Sequence, residues 1–252
     1  MQKLKPKKHL GQHFLHDEQI ALRIVEALQA PVDHAVVEIG PGEGVLTRYL
    51  FKKYRQFTAV EVDPEAVWHL KQHLSPDLVV IHRDVLRWSP SESLSTPAYF
   101  IGNLPYNISS PFFFLLLENR DWVKEGVFMI QKEVAERICA GPGSKTYGIL
   151  SVLLGTYFEL SYEFSVPPGA FRPPPKVMSG VIRLVAKDEM PEVDFEHLKK
   201  LVKAAFGQRR KTLRNALKSL QIDWSQLPSE WPSLRAEQMA PEAFWQLSQA
   251  CI

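Results

Sequence analysis

Cysteine is scarce in this sequence: only Cys139 and Cys251 occur among 252 residues, and no Cys-x-x-Cys or Cys/His spacing accompanies them. A disulfide framework and a zinc site are therefore disfavoured, and we expect no bound metal. Long apolar runs are also missing, since residues 112–117 form the longest and a bilayer span needs roughly 18 residues. Residues 1–15 are lysine-rich and lead into no apolar stretch of the kind that a secretory signal requires. We therefore expect a cytoplasmic protein without a membrane span.

A large charge imbalance is absent as well, because the formal net charge is only +2. This total neither indicates nor excludes a nucleic-acid partner, since a local patch matters more than the sum. The apolar content of 45% is enough to bury a full core. The length suggests one large domain, or one large and one small domain.

Short β-rich stretches alternate with amphipathic stretches through the first two-thirds of the chain, a pattern typical of a mostly parallel sheet with helices on both faces. The expected strands are residues 35–39, 57–61, 78–82, 99–102, 126–130, 160–166 and 179–185. Helical patterns lie between them at 17–30, 44–54, 64–74, 109–118, 132–139 and 147–158, with Asp17 placed to cap the first. The sequence therefore predicts an α/β fold of seven strands.

The pattern changes near residue 187. Residues 187–192 are polar, and only helical periodicity follows, at 195–206 and 208–220. We therefore expect two domains, with the sheet in residues 1–187 and a small helical domain in residues 188–252. The proline-rich residues 166–176 are expected to form a rigid loop that holds Phe171, because proline restricts itself and its predecessor.

A glycine-rich loop follows the first expected strand, in the stretch VVEIGPGEGVL at residues 36–46. Glycines let the backbone approach a ligand closely at the carboxyl end of a parallel strand. The loop glycines are Gly40, Gly42 and Gly44. Their G-x-G-x-G spacing is one residue shorter than the dinucleotide fingerprint G-x-G-x-x-G, which disfavours NAD.

Acidic residues stand at the ends of the next two expected strands. Glu61 ends the second, where its carboxylate can accept hydrogen bonds from both ribose hydroxyls. Asp84 follows the third, near the position expected for an adenine amino group. Each feature alone is compatible with a tight turn or a solvated acid. The ordered set instead predicts a site for a nucleoside.

The fourth expected strand runs into Asn103, Leu104, Pro105 and Tyr106. These residues suit methylation of an amino group, because the N6 lone pair of adenine is delocalised and needs acceptors for its N–H groups. The side-chain oxygen of Asn103 can accept one such bond, and the backbone carbonyl of Leu104 or Pro105 a second. Tyr106 can stack on an extruded base. The alternative is an ordinary type I turn with Asn and Pro at favoured positions.

Transfer of a methyl group from a sulfonium centre is an in-line displacement, so positioning supplies much of the catalysis. No catalytic base is obligatory, because the alkylated nitrogen is acidic enough to lose its proton to water. The absence of a histidine or carboxylate beside Asn103 in the sequence agrees with this.

Two basic segments without an acidic residue flank this expected site, residues 3–9 and 208–218. They are either solvated faces or binding sites for phosphates, and their position favours the second. The expected nucleic-acid contacts are Lys5, Lys7, Lys8, Arg209, Arg210, Lys211 and Arg214.

Five motifs spread over the chain resemble a known family. They are GQHFLHD at 11–17, EIGPGEGVLT at 38–47, VEVD at 60–63, NLPYNIS at 103–109 and FRPPPKVMSGVI at 171–182. The chain resembles the ribosomal RNA adenine N6-dimethyltransferases, and is similar to the bacterial enzymes that dimethylate adjacent adenosines near the 3′ end of 16S rRNA. The resemblance implies a Rossmann-like, S-adenosylmethionine-dependent class I methyltransferase fold, with a small helical C-terminal domain that docks RNA.

The resemblance also implies roles for individual residues. The segment around His13 and Leu15 lies over the cofactor, Gly40 lies under its amino-acid end, Glu61 holds the ribose and Asp84 contacts the adenine. Glu38, Gly42, Gly44 and Asn103 complete the expected cofactor site. Asn103 and Tyr106 receive the target base, with Leu104 and Pro105 beside them, and Phe171 covers its other face. Relatives often carry Asn where this chain has His13, so this position departs from the family pattern.

Other functions share parts of this pattern. The enzymes that methylate large-subunit RNA and confer macrolide resistance carry a similar glycine loop and Asn-x-Pro-Tyr motif. A nucleic-acid-binding relative without catalysis is disfavoured by the intact residues 103–106. A methyltransferase for small molecules or protein amides would leave the basic segments without a role. We therefore expect a monomeric enzyme that acts on the small ribosomal subunit during ribosome biogenesis.

Overall fold

The computed structural model describes residues 4–189 and 191–251, so Lys3 of the first basic segment lies outside the described residues. The chain divides into two compact units. One comprises Met1–Ala135 and Ser161–Ala186, and the other comprises Glu136–Leu160 and Lys187–Ile252. One junction coincides with the expected boundary near residue 187. The expected division did not include the transfer of Glu136–Leu160 to the C-terminal unit.

The first unit is built on a sheet. The described strands are β1 (Phe14–Leu15), β2 (Ala35–Ile39), β3 (Gln56–Glu61), β4 (Val80–His82), β5 (Ala98–Asn103), β6 (Val123–Gln131), β7 (Phe158–Val166), β8 (Phe171–Arg172) and β9 (Ser179–Ala186). Seven form one sheet in the order β4-β3-β2-β5-β6-β9-β7. Strands β2 to β6 pair in parallel, and β9 is antiparallel to β6. The seven expected strands and the Rossmann-like fold are confirmed.

Strands β1 and β8 form a separate antiparallel ribbon, in which Phe14 lies opposite Arg172 and Leu15 opposite Phe171. This ribbon was not expected from the sequence. A strand of two residues is too short to show the alternation on which strand prediction depends.

The helices of the first unit are α1 (Glu18–Ala27), α2 (Thr47–Lys53), α3 (Pro64–His73) and α4 (Ser109–Glu118), and α5 (Lys132–Ile138) crosses a junction between the units. Asp17 caps α1 as expected, accepting from the backbone N–H groups of Gln19 and Ile20 at 3.0 and 3.1 Å. Asp63 caps α3 through the N–H of Glu65 at 3.0 Å. Pro64 occupies the first helical position, where a missing N–H costs little.

The core of this unit lies between the sheet and its helices. Val36 and Val37 of β2 are fully buried although they point to opposite faces, as expected for a central parallel strand. Helix α1 buries Ala21, Ile24 and Val25, which share one face at helical spacing. The packed strands bring the carboxyl ends of β2, β3, β4 and β5 to one edge of the sheet.

The second unit is helical. It contains α6 (Ile149–Tyr157), α7 (Phe195–Gly207), α8 (Leu213–Ala216) and α9 (Pro241–Gln249). Helices α6, α7 and α9 pack against one another around the buried side chains of Tyr157, Leu198 and Phe244. This packing explains why Glu136–Leu160 joins the C-terminal unit, because the apolar α6 supplies one wall of its core.

The expected helix at residues 208–220 is wrong. Helix α7 ends at Gly207, residues 208–212 form a turn, and α8 covers only Leu213–Ala216. Gln208 has φ −121° and ψ 47°, which ends the helical path. No described helix is both long and apolar enough to cross a membrane.

Candidate active site

A cavity of about 200 Å³ opens at the carboxyl ends of the parallel strands in the first unit. Its wall brings together most of the residues expected from the sequence, namely His13, Leu15, Glu38, Gly40, Gly42, Glu61, Asp84, Asn103, Leu104, Pro105 and Tyr106. Ligands of open α/β sheets bind at this edge, because the loops there leave a crevice. Among the described residues, no group of three or more His, Cys, Asp or Glu side chains could hold a metal ion.

The glycine loop makes one side of the cavity, but its glycines differ in purpose. Gly42 has φ 54°, and a β-carbon there would lie 3.0 Å from the ring of Phe14. Gly44 has φ 80° and does not line the cavity. A β-carbon at Gly44 would lie 2.5 Å from Leu74 and 2.7 Å from Leu70. Gly44 therefore permits the close packing of α3 and is not a wall of the cavity, contrary to its expected place in the cofactor site.

Glu61 is the most firmly oriented acid of the cavity. Its Oε2 accepts from the N–H of Gly42 at 3.1 Å, and its Oε1 accepts from the N–H groups of Val62 and Asp63, both at 2.9 Å. Burial raises the pKa of Glu61 although these bonds oppose the shift. A carboxylate offers about four acceptor sites, so a fixed Glu61 retains capacity for a ligand hydroxyl.

Glu38 lies deeper, with 1% of its surface exposed and with Oε2 lacking a hydrogen-bond partner among the described residues. Burial raises the pKa of Glu38 to about 8, opposed by the nearby Thr47 hydroxyl and aided by the charge of Glu61. A buried, unpartnered carboxyl oxygen in a cavity wall is a position for a ligand donor, because leaving it unsatisfied is costly.

Asp84 stands at the outer rim of the cavity. It follows β4 and accepts from the backbone N–H of Leu86 at 3.0 Å, which fixes its side chain at the start of a short helical turn. Its side chain is 43% exposed, and Arg87 lies 3.9 Å away. The Asp84 carboxylate is therefore accessible to a ligand from the solvent side.

Asn103 ends β5 with its side chain held in one direction. Its Nδ2 donates to the backbone carbonyl of His13 at 3.1 Å, which leaves Oδ1 as the group able to serve a ligand. The carbonyl of Pro105 already accepts from the N–H of Ile108 at 3.1 Å and the hydroxyl of Ser109 at 3.4 Å. Of the two backbone acceptors left open by the sequence, the geometry therefore favours Leu104.

Tyr106 has two partners that the sequence analysis missed. Its hydroxyl lies 2.7 Å from that of Ser179, which is fully buried on β9. The imidazole of His13 stacks on the Tyr106 ring, with centroids 5.6 Å apart and planes 26° apart. The Nδ1–H of His13 donates to the carbonyl of Pro173 at 2.7 Å. No sequence signal linked Ser179 to Tyr106, because only strand pairing brings β9 to this edge.

The position of His13 corrects the expectation, drawn from the sequence, that no histidine lies beside Asn103. No histidine follows or precedes Asn103 closely in the sequence, but His13 lies beside both Asn103 and Tyr106 in space. The segment before β1 folds back over the cavity and carries the imidazole there.

Phe171 is not part of the cavity wall, although we expected it to cover the target base. Only 3% of its surface is exposed, and it belongs to the hydrophobic core together with Leu15. Pairing of β8 with β1 holds it there. The aromatic neighbour that Tyr106 has in this structure is His13.

The expected nucleic-acid contacts fall into two groups. Lys5, Lys8, Arg210, Lys211 and Arg214 are exposed. Lys7 instead pairs with Asp63 at 2.7 Å and Glu65 at 3.0 Å. Arg209 pairs with Glu237 at 2.5 Å and donates to the carbonyl of Ser144 at 3.3 Å. Lys7 and Arg209 are therefore tied into their own units.

One class of protein is defined by this sheet order, by the glycine loop and by the row of acids and an amide at one sheet edge. It is the class of S-adenosylmethionine-dependent methyltransferases of Rossmann-like fold. Two crystal structures share this fold. A dimethyladenosine transferase from Plasmodium falciparum has a TM-score of 0.82 at 23% identity, covering 95% of this chain and 99% of that one. The 23S rRNA methyltransferase ErmE has a TM-score of 0.73 at 26% identity, covering 94% of this chain and 98% of that one.

The sequence comparison is more specific. Residues 3–231 match the sequence model of ribosomal RNA adenine dimethylase. Ribosomal RNA small subunit methyltransferase A from Cytophaga hutchinsonii is 46% identical over 254 residues, covering 98% of each chain. The chain therefore belongs to the ribosomal RNA adenine dimethylase family, a family of S-adenosylmethionine-dependent enzymes.

Proposed function

We propose that this enzyme dimethylates N6 of two adjacent adenosines near the 3′ end of 16S rRNA in the small ribosomal subunit. The observation that carries the proposal is the orientation of Asn103. Its amide nitrogen is bonded to His13, and its oxygen therefore remains to accept from an amino group at the cavity edge. A role in ribosome biogenesis in the cytoplasm follows from the same substrate, and we propose that the enzyme acts as a monomer.

The cavity fits S-adenosylmethionine by the chemistry of its wall. The fixed carboxylate of Glu61 suits the ribose hydroxyls, and the exposed carboxylate of Asp84 suits the adenine amino group. The unpartnered Oε2 of Glu38 and the backbone at Gly40 suit the ammonium of the amino-acid end. When bound, the cofactor supplies a methyl group activated by a sulfonium centre.

The target base belongs beside Asn103 and Tyr106. Oδ1 of Asn103 and the carbonyl of Leu104 accept from N6–H, and they draw the nitrogen lone pair out of the ring and toward tetrahedral geometry. Tyr106 offers its ring face to the adenine, and Ser179 holds that ring in place at 2.7 Å. His13 must share or vacate the Tyr106 face when the base arrives, since the two rings are stacked.

Exposed cations supply the proposed RNA contacts. Lys5 and Lys8 near the cavity, together with Arg210, Lys211 and Arg214 of the helical unit, are accessible to phosphates. Cations on the surface give affinity and salt dependence without base specificity.

A large-subunit RNA substrate is the second candidate, because the fold of the 23S rRNA methyltransferase ErmE is also similar. The relative named for the small subunit is more similar in sequence, at 46% identity against 26%. This difference favours the small subunit.

Purified, unmethylated small and large subunits, each incubated with labelled S-adenosylmethionine, test the proposal. We expect label only in the small subunit, on two adjacent adenosines near the 3′ end of its RNA. Label on the large subunit would identify the second candidate. The absence of label from both, with RNA still bound, would indicate a relative without catalysis.

A further inference from the structure

Residues 4–15 run across the cavity, and this segment is called the strap here. Its residues His9 to Leu15 form one wall of the cavity. At its far end β1 pairs with β8, and the N–H of His16 donates to the carbonyl of Ala170 at 2.9 Å. The strap is therefore fixed at the end that enters α1.

The near end of the strap is held by side chains at the cavity rim. The Nζ of Lys7 lies 2.7 Å from Oδ1 of Asp63 and 3.0 Å from Oε1 of Glu65. Gln12 bridges the backbone of Lys7 and the side chain of Asp63. Its Oε1 accepts from the N–H of Lys7 at 2.9 Å, and its Nε2 donates to Oδ2 of Asp63 at 3.1 Å. A separate bond joins the N–H of Leu4 to the carboxylate of Glu43 at 2.8 Å.

Asp63 is buried, with 2% of its side chain exposed. Burial by itself raises the pKa of Asp63, but the hydrogen bonds from Lys7 and Gln12 outweigh it and hold the pKa below its ordinary value. Lifting the strap would remove these hydrogen bonds from the Asp63 carboxylate, and protonating Asp63 would weaken them. The closed strap and the ionised Asp63 therefore stabilise each other.

The same turn carries the carboxylate that suits the ribose. Glu61 and Asp63 are two residues apart, and Oε1 of Glu61 accepts from the N–H of Asp63 at 2.9 Å. A change at Asp63 therefore reaches Glu61 through one backbone hydrogen bond. The strap therefore meets the proposed cofactor site at two places. His9 to Leu15 line the cavity, and Lys7 binds Asp63 in the turn that carries Glu61.

We infer that Lys7 is a positioning residue that closes the strap over the bound cofactor through Asp63, and that it is not a phosphate contact. The inference rests on the proposed use of the cavity as the cofactor site. A lysine that holds the exit of a cavity controls mainly how fast the ligand leaves.

The test measures the rate at which S-adenosylhomocysteine leaves the full chain, using displacement kinetics. We expect Lys7→Ala to release the ligand roughly tenfold faster, because a charge-assisted bond at the rim is lost. Lys7→Arg should recover most of the retention. Lys71→Ala, which removes an exposed charge from α3, is the matched control and should release at the wild-type rate.

A double-mutant cycle separates this role from a general loss of structure. Asp63→Asn keeps an acceptor for the α3 cap but loses the charge that Lys7 binds, so Lys7→Ala should have little further effect in that background. If Asp63→Asn lowers the melting temperature, Gln12→Ala replaces it in the cycle. Release within twofold of wild type for Lys7→Ala, or additive effects in the cycle, would overturn the inference.

RNA binding distinguishes a positioning role of Lys7 from a phosphate contact. Lys7→Ala should leave the salt dependence of RNA affinity unchanged, whereas Lys8→Ala should reduce it. A reduced salt dependence for Lys7→Ala would return this residue to the phosphate contacts. Failure of the wild-type chain to bind S-adenosylhomocysteine would instead overturn the proposed cofactor site.

Discussion

At the cavity edge, three acidic residues are almost inaccessible to solvent: Glu38 is 1% exposed, Glu61 5% and Asp63 2%. Glu61 and Asp63 are each held by several hydrogen bonds. In the turn after α7 and in α8, by contrast, Arg210, Lys211 and Arg214 are exposed. Groups of the first kind act in fixed positions at low dielectric, so one substitution should have a large effect. Charges of the second kind act through a screened field, so each should contribute little.

The strongest test of this contrast is Asn103→Ala. We expect turnover to fall by about 10² to 10³ while S-adenosylhomocysteine and RNA still bind, because the lost acceptor matters most as N6 becomes tetrahedral. Single-turnover methylation with both ligands saturating measures this effect. A rate within about threefold of wild type, with weakened binding, would reduce Asn103 to a turn former.

Tyr106 supplies the companion variants for that experiment. Tyr106→Ala should damage capture of the base, whereas Tyr106→Phe keeps the ring and loses only the bond to Ser179. We therefore expect Tyr106→Phe to retain much more activity than Tyr106→Ala. Equal losses would mean that the hydroxyl, not the ring face, is required.

Glu61→Ala should have the next largest effect. At least one charge-assisted hydrogen bond to ribose is lost, worth about 1.5–3 kcal/mol, so S-adenosylhomocysteine should bind at least tenfold more weakly. Calorimetry measures the dissociation constant, and Glu26→Ala on the exposed side of α1 is the control. RNA affinity should not change. An unaltered dissociation constant would mean that the ribose lies elsewhere.

Glu38→Gln tests whether the buried Glu38 is protonated, through the pH dependence of the free energy of unfolding. Because burial raises the pKa of Glu38 to about 8, the folded chain keeps a proton there that the unfolded chain releases near pH 4.5. The free energy of unfolding should therefore fall as pH rises between these values, by at most about 1.4 kcal/mol per pH unit, and the fall should stop above about 8.

Glutamine resembles the neutral acid but does not titrate, so Glu38→Gln should flatten this dependence. Urea unfolding between pH 5.5 and 8 without cofactor measures it, with Glu26→Gln as the control. Part of the slope should remain, since burial also raises the pKa of Glu61. Identical slopes for wild type and Glu38→Gln would show that Glu38 is ionised throughout.

The sequence predicted the cavity edge well, because its motifs are local. Glu61 and Asn103 end strands, the glycine loop and Asp84 follow strands, and the parallel arrangement brings these positions together. The contribution of the strap was harder to predict, because Lys7 and Asp63 are 56 residues apart and no periodicity connects them. Phe171 was misplaced for the same reason, since a two-residue ribbon decides where its ring lies.

Charge pattern gave the weakest predictions. A run of lysines or arginines does not reveal which members meet an acid in space, and Lys7 and Arg209 do. The helix expected at residues 208–220 depended on helical periodicity alone. The chain instead leaves the helical path at Gln208, and Arg209 is bound to Glu237 in the turn that follows.

The exposed cations should give the smallest effect per residue. Changing Arg210, Lys211 or Arg214 to Ala removes one phosphate contact, which should lower the slope of log affinity against log salt by about 0.7–0.9 and weaken binding about threefold. The three changes should add, because the side chains act independently. Arg209→Ala is the matched control, since its guanidinium is bound to Glu237, and it should lower thermal stability without altering the slope. Binding of S-adenosylhomocysteine should be unaffected in all four variants. If Arg209→Ala reduces the salt slope as much as its neighbours do, Arg209 leaves Glu237 to bind RNA, and the distinction between tied and exposed cations fails.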